Sequence, residues 1–397
     1  MAEQALSDVK VLDLSWHIAG PYCTKLLAGL GAEVVKIERP GQGDPARSIG
    51  PFFNDEPHPE KSGLFHHLNT GKKSITLNLK SSTGKNIFLQ LVQEADILVE
   101  NFSPGVMAGF GLTYEVLEEL NPKLVMTSIS NFGSSGPYRD YKMTEIVAQA
   151  LGGLMYITGD LDRVPLKPVG SQAQYQAGLN SFVGTMAAFY GANGTGIGQY
   201  VESSIMETMN SILEYSLLEY LYQGRIEVRK GNKGAAHPWG MYFCKDGYIG
   251  IAVVGKLWDR LVEWIDTPEI RSESIDSIVK RVFNRDEVDA ALYPFFMDHT
   301  REEIYHQGQE RKIPISLVRS PEDLVNAPQY RARGFWVDID HPETGTLTYP
   351  GAPAIMSETP WQTIRPPLLG EHNEEIYCNR LGYTKEDLVK LKEMSII

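Results

Sequence analysis

The opening block of this chain constrains its fold more than any other segment. Val9-Lys-Val-Leu-Asp-Leu-Ser leads into His17-Ile-Ala-Gly-Pro and a leucine-rich stretch. Ala32-Glu-Val-Val-Lys-Ile-Glu-Arg39-Pro-Gly-Gln-Gly-Asp44-Pro-Ala-Arg47 follows. This succession reads as strand, loop, helix, strand and glycine turn, in the length of a βαβ unit. Parallel sheets take ligands beyond the carboxyl ends of their strands, so the charged cluster after the second strand is expected to face a nucleotide-like ligand. The alternation continues to about residue 130. Ser74-Ile-Thr-Leu-Asn-Leu, Asp96-Ile-Leu-Val-Glu and Leu124-Val-Met-Thr-Ser-Ile read as strands, and Gly84–Glu94 and Tyr114–Leu120 as helices. The pattern predicts an α/β fold with a doubly wound parallel sheet.

Beyond it, residues 176–225 read as a long helical pair broken by Asn193-Gly-Thr-Gly-Ile-Gly198. From about Val228 the texture changes to turns and the strands Met241-Tyr-Phe and Tyr248–Val254. Charged helices run to about Gln309, strand-like chain resumes at Ile313–Val318, and residues 341–370 are rich in proline and glycine before a final acidic helix. Gly194-Thr-Gly-Ile-Gly198 is read as a tight turn, because a dinucleotide loop follows a strand and opens a helix, the reverse of the order here.

Several function classes are disfavoured. A net charge of −13 argues against general nucleic-acid binding, which needs a basic face. No window approaches about 18 uninterrupted apolar residues, so no membrane span is expected. The N-terminus lacks the features of a signal peptide, and Cys23, Cys244 and Cys378 are scattered and odd in number, which fits a cytoplasmic protein without a disulfide framework. His66 and His67 are adjacent and lack a third ligand at useful spacing, so no metal site is expected. The nucleophile elbow G-x-S-x-G is absent, which weakens a hydrolase reading.

Many segments together resemble family III CoA-transferases, the formyl-CoA and carnitine CoA-transferase family. They are the opening block through Arg47, Asn69-Thr-Gly-Lys-Lys-Ser-Ile-Thr-Leu-Asn-Leu-Lys80, Ala95-Asp-Ile-Leu-Val-Glu-Asn101-Phe102-Ser-Pro-Gly105 and Asn121-Pro-Lys-Leu. Ser128-Ile-Ser-Asn-Phe-Gly-Ser-Ser-Gly-Pro-Tyr138, Glu145-Ile-Val-Ala-Gln149, Gln329-Tyr-Arg-Ala-Arg-Gly334 and Pro367-Leu-Leu-Gly-Glu-His372 continue the match. The resemblance implies a large Rossmann-like, CoA-binding domain from residues 1–225 and the returning 326–397. A smaller α+β domain, 226–325, is inserted between, and two chains form interlocked rings with each active site shared. It implies coenzyme A or acyl-CoA and a carboxylic acid as substrates. The contacts to CoA would come from His17, Ala19, Arg39, Leu77, Lys80, Asn101, Phe102 and Lys142, of which His17 departs from the family's residue type. A basic or aromatic residue that some members place near Gly109 or Phe110 has no clear counterpart. CoA itself demands fixed cations and backbone donors near a flat apolar slot.

These enzymes use an aspartate to attack the donor thioester. The matching stretch is Pro168-Val-Gly-Ser-Gln-Ala-Gln174-Tyr-Gln-Ala-Gly178, which places Gln174 where the aspartate belongs. A carboxamide is not a competent nucleophile near neutral pH, and positioning alone does not recover a lost covalent step. No Asp occurs between Arg163 and Val228. Glu145 matches a family carboxylate near the acceptor and is the nearest substitute. The related racemases pair the aspartate with a histidine just before the Glu145 position; Lys142-Met-Thr stands there, so epimerisation is not expected. The chain is therefore expected to be the non-nucleophilic subunit of a heteromeric CoA-transferase, paired with an aspartate-bearing paralogue. The two-subunit enzyme acting on succinyl-CoA and benzylsuccinate is the nearest type of arrangement. An active homodimer with another nucleophile and a CoA-binding regulatory protein are the alternatives. Trp239, Met241 and Tyr242 are candidates for a bulky acyl pocket or, equally, for a core.

Overall fold

Short β-branched runs alternating with helices close into a six-stranded, wholly parallel sheet in the computed structural model, which describes residues 4–232, 234 and 236–397. The strands are β1 (Lys10–Asp13), β2 (Glu33–Glu38), β3 (Lys73–Thr76), β4 (Ile97–Glu100), β5 (Val125–Ser130) and β6 (Gln199–Ser204), in the order β3-β2-β1-β4-β5-β6. Register follows the pleat: Val11 lies between Val34 and Ile97, Leu12 between Val35 and Leu98. Successive side chains point to opposite faces, so each face has its own core. Leu12, Val35 and Leu98 pack on one side with α3 (Ser82–Val92) and α5 (Tyr114–Leu120). Val11, Val34 and Ile97 pack on the other with α1 (Ala19–Gly29) and α8 (Gln172–Thr195). Between these helices run α2 (Gly63–Leu68), α4 (Val106–Phe110), α6 (Glu145–Leu151) and α7 (Leu154–Ile157), and α9 (Ile205–Ser211) follows β6. No helix among the described residues is long and apolar enough to cross a membrane.

Helices α1 and α8 touch through small residues. A Cβ at Gly178 would stand 2.5 Å from the Ala19 carbonyl oxygen, so only glycine permits this approach. The chain's end returns to the sheet: Ile376, Tyr377, Leu391 and Ile396 join the first core, and the Tyr377 hydroxyl donates to Thr76 O at 2.7 Å. Residues 336–350, not read as regular structure from sequence, form the antiparallel hairpin β10 (Trp336–His341) and β11 (Gly345–Pro350). Tyr349 places its hydroxyl 3.2 Å from His66 Nδ1, and the His66 and His341 rings lie 4.3 Å apart.

Two units divide the chain: 1–154, 167–218 and 331–397 make the first; 155–166 and 219–330 make the second. Residues 155–166, placed in the larger domain by the sequence reading, cluster instead with the second unit. The backbone explains this: Arg229 donates to the Tyr156 and Asp160 carbonyls at 3.1 and 3.2 Å, and Gly231 N to Gly159 O at 2.9 Å. The second unit holds the antiparallel sheet β7 (Trp239–Cys244), β8 (Gly247–Ala252) and β9 (Ile315–Leu317), covered on one face by helices that include Leu257–Ile265 and Arg285–Asp298. Tyr242 belongs to that core, at 3% exposure. Trp239 and Met241 point the other way, at 46% and 55%, as the strand's period of two requires.

Candidate active site

The order of the six strands reverses the direction of winding between β1 and β4, and the loops after these two strands therefore splay apart at the carboxyl edge. Asn101 ties them together: its Oδ1 accepts from the Trp16 amide at 2.8 Å, and its Nδ2 donates to the Trp16 carbonyl at 2.7 Å. The first loop is also held from beneath by buried charge. Asp13 Oδ2 accepts from Lys72 at 2.9 Å and Thr24 at 2.7 Å; Oδ1 accepts from the Ser15 amide at 2.9 Å and the Ser15 hydroxyl. Lys36 pairs with Asp44 at 2.9 Å and donates to Ser15 O at 2.7 Å. Asp44 Oδ1 in turn accepts from the amides of Ala46 and His17 at 2.9 and 3.1 Å. The second of these bonds steadies His17, whose φ of 64° is sparsely populated by residues with a side chain. Alongside, Glu38 binds Arg47 through two bonds of 2.8 and 2.9 Å.

Burial by itself would raise the Asp13 carboxyl, but Lys36, Lys72 and the two hydroxyls outweigh it and hold the group well below the usual carboxylate range. Burial pushes Lys72 down to about 8, assisted by Lys36 and opposed by Asp13. The charges in and after β2 thus correct the expectation drawn from their position. Lys36 and Asp44 are fully buried and paired with each other, and Arg47 is fully buried against Glu38 and Glu60; of the basic residues in that block, Arg39 is the one that is exposed and lines a cleft. A buried cation without a carboxylate would be costly, which is why the cluster is closed on itself.

Two clefts of about 560 Å³ each open at the carboxyl edge and share His17, Asn101, Phe102 and Ser103. Arg39, Leu77 and Lys80 line one. Its floor is aromatic: the Arg39 guanidinium lies 3.9 Å over the Trp16 ring, and Phe102 meets Trp16 edge-on at 5.2 Å. A cation stacked on a flat ring beside exposed Lys80 suits a phosphorylated, planar ligand. Ala19, Lys142, Glu145 and Gln174 line the other cleft. The residues proposed from sequence for CoA contact and acyl acceptance therefore each line one of two adjoining clefts.

Glu145 opens α6 and serves the start of α8. Its Oε1 accepts from the Ala173 amide at 2.8 Å and from Gln149 Nε2 at 2.6 Å. Ser171 gives α8 no side-chain cap, so Glu145 supplies from another helix the acceptor that the first turn lacks. Among the described residues, Glu145 Oε2 is buried without a hydrogen-bond partner, as is Oε1 of the fully buried Gln149. Gln174 follows Ala173 by one residue and lines the same cleft as Glu145.

Trp16, Gln149, Glu100 and Arg139 were not singled out from sequence. Trp16 adjoins His17 in the first loop and was detectable as an aromatic at a strand end; Gln149 lies one helical turn from Glu145. Glu100 ends β4 and accepts from the Phe102 amide at 2.7 Å; burial raises its carboxyl to about 6, with Ser128 and that amide opposing. Arg139 lines the cleft of Glu145 and Gln174, and nothing in its local sequence marks it.

Comparison with known proteins agrees with this geometry. The model of CoA-transferase family III matches residues 6–373. Succinyl-CoA:mesaconate CoA-transferase of Haloarcula marismortui is 36% identical over 94% of this chain and 95% of its own length. The BbsE subunit of succinyl-CoA:(R)-benzylsuccinate CoA-transferase of Thauera aromatica is 31% identical over 99% of this chain and 98% of its own. A solved CAIB/BAIF family protein from Brucella suis superposes with a TM-score of 0.87 at 29% identity, covering 95% of this chain and 99% of that one. With the two adjoining clefts described, the family model's match across residues 6–373 and relatives more than 30% identical over nearly the whole chain leave one conclusion: the chain belongs to CoA-transferase family III.

Proposed function

We propose that this chain is the non-acylated subunit of a heteromeric CoA-transferase that handles a dicarboxylic acyl group. The acyl-CoA would lie across both clefts, with adenine against Trp16 and Leu77, phosphates toward Arg39 and Lys80, and the pantetheine arm past His17, Ala19, Asn101 and Phe102. The thioester would then reach Lys142, Glu145 and Gln174. One observation supports the reading: Gln174 lines the second cleft together with Glu145, and the family resemblance implies a free carboxylate at its position. An anhydride cannot form there, because the amide nitrogen's electron pair is delocalised and its oxygen carries no formal charge.

Glu145 is poorly suited to take over. One carboxylate oxygen is engaged twice and the other is buried, so attack would require breaking the α8 cap. Its arrangement favours positioning over nucleophilic attack. The cradle residues that are kept argue that the fold is retained to bind and to pair: an interlocked dimer with a paralogous, aspartate-bearing chain would let this subunit complete its partner's pocket in a reducing cytoplasm. The two relatives support the substrate class, since mesaconate and benzylsuccinate are both dicarboxylates.

The test is purification of the chain from its native source. A second chain of similar size with aspartate at the position matching Gln174 is the expected companion, and hydroxylamine-sensitive acylation should appear on that chain alone. Gln174→Asp in this chain should acquire a succinyl-CoA-dependent adduct at residue 174, seen by mass spectrometry. Covalent loading of the unaltered chain during turnover without a companion would overturn the proposal.

A further inference from the structure

The cations at the carboxyl edge are divided between the two clefts. Arg39 and Lys80 stand in the cleft with the aromatic floor, whereas Arg139 and Lys142 line the one that holds Glu145 and Gln174, Arg139 also bordering a third cleft lined by Gly105. A thioester laid with its nucleotide over Arg39 leaves its acyl group in the second cleft, beyond the phosphates. Arg139 is the cation there with a planar, forked donor set. Its guanidinium is backed by the loop after β4, with Nη2 at 3.7 Å from where a Cβ would sit on Gly105. Among the described residues its ion-pair partner is the adjacent Asp140, at 4.0 Å, with side chains 42% and 79% exposed. Such a pair in water is weak and readily exchanged. A carboxylate entering the cleft would gain two parallel, charge-assisted bonds from the same fork, which a lysine ammonium cannot supply.

Building on the reading of this cleft as an acyl-CoA site, we infer that Arg139 binds the remote carboxylate of a dicarboxylic acyl group and so selects such acyl groups over uncharged ones of equal length. The residue is a specificity determinant and takes no part in bond making. Its loss removes discrimination while leaving the grip on CoA intact.

The experiment is titration calorimetry of the full chain with CoA, succinyl-CoA and butyryl-CoA, the last having the same four-carbon length without the second carboxylate. The unaltered chain should bind succinyl-CoA about ten- to a hundredfold more tightly than butyryl-CoA, the range of one bidentate charged contact. Arg139→Gln should reduce that ratio to about one, with CoA affinity and melting temperature unchanged, and Arg139→Lys should fall between. A ratio near one in the unaltered chain, or a preference that survives Arg139→Gln, would refute the assignment. So would an equal loss for all three ligands in Arg139→Gln, which would place the guanidinium on the phosphates. Failure of the unaltered chain to bind CoA at all would instead bring down the acyl-CoA reading itself, and this assignment with it.

Discussion

Replacing Lys36 by methionine tests whether the buried charge cluster really supports the first loop. Methionine keeps the length and most of the volume of lysine but removes Nζ. Asp44 loses its 2.9 Å ion pair and the Ser15 carbonyl its 2.7 Å donor, and neither atom can reach water, because both residues are fully buried. Asp13, Asp44, Lys36 and Lys72 sum to zero formal charge, so the variant leaves one uncompensated negative charge in the interior. Breaking one side of a buried pair costs about 3–5 kcal/mol. Hydrogen exchange of β1–β3, read by mass spectrometry on the full chain, should therefore lose about two to four decades of protection. CoA affinity should fall as well, because the Asp44 that anchors the His17 amide loses its own anchor. The double change Lys36→Met with Asp44→Asn should recover a large part of the protection, since removing both charges avoids the unpaired state. Less than about 1 kcal/mol lost in the single variant, or no recovery in the double, would show that the cluster is solvated and the reasoning wrong.

Further expectations concern the clefts and the helix contacts. Arg39→Met should weaken CoA binding by about tenfold or more, measured by calorimetry, with little change in melting temperature, because Arg39 is exposed and its partner is the Trp16 face. Gly178→Ala should destabilise the first unit by about 1–3 kcal/mol in thermal unfolding, since the new methyl meets a backbone oxygen that cannot step aside. Acid should destabilise the fold through Asp13 and Glu38, whose native carboxyls lie below their ordinary values of 3.8 and 4.5. Their contribution is complete above those values and disappears as pH drops through the native ones, so the urea midpoint should fall below about pH 4. Glu100 has the opposite sign: its native carboxyl titrates at about 6 against an ordinary 4.5, so the folded state holds the extra proton and stability declines as pH rises through that window. Glu100→Gln should flatten the urea midpoint between those two pH values.

Strand and helix identities were legible because their signal is local. The alternation in Val9–Leu14 and Glu33–Glu38 and the spacing of Ile87, Phe88, Leu91 and Val92 each declare one element without reference to the rest of the chain. The chemistry at Gln174 was equally local, since an amide differs from an acid whatever surrounds it. The hairpin at residues 336–350 was not legible, because its register depends on packing against His66, some 270 residues away. Nor was the fate of the charges after β2. A lysine in a strand looks the same in sequence whether it faces a phosphate or a buried aspartate, and Lys36 was assigned to the interior by carboxylates from β1 and the loop beyond β2. Glu145 shows the same division. Its identity as an acidic residue is written in the chain, but its work as the cap of α8 exists because folding brings the Ala173 amide within 2.8 Å. Residue type and periodicity are properties of neighbours in sequence, whereas ion pairing, capping and access to a cleft are settled by which distant atoms the fold brings into contact.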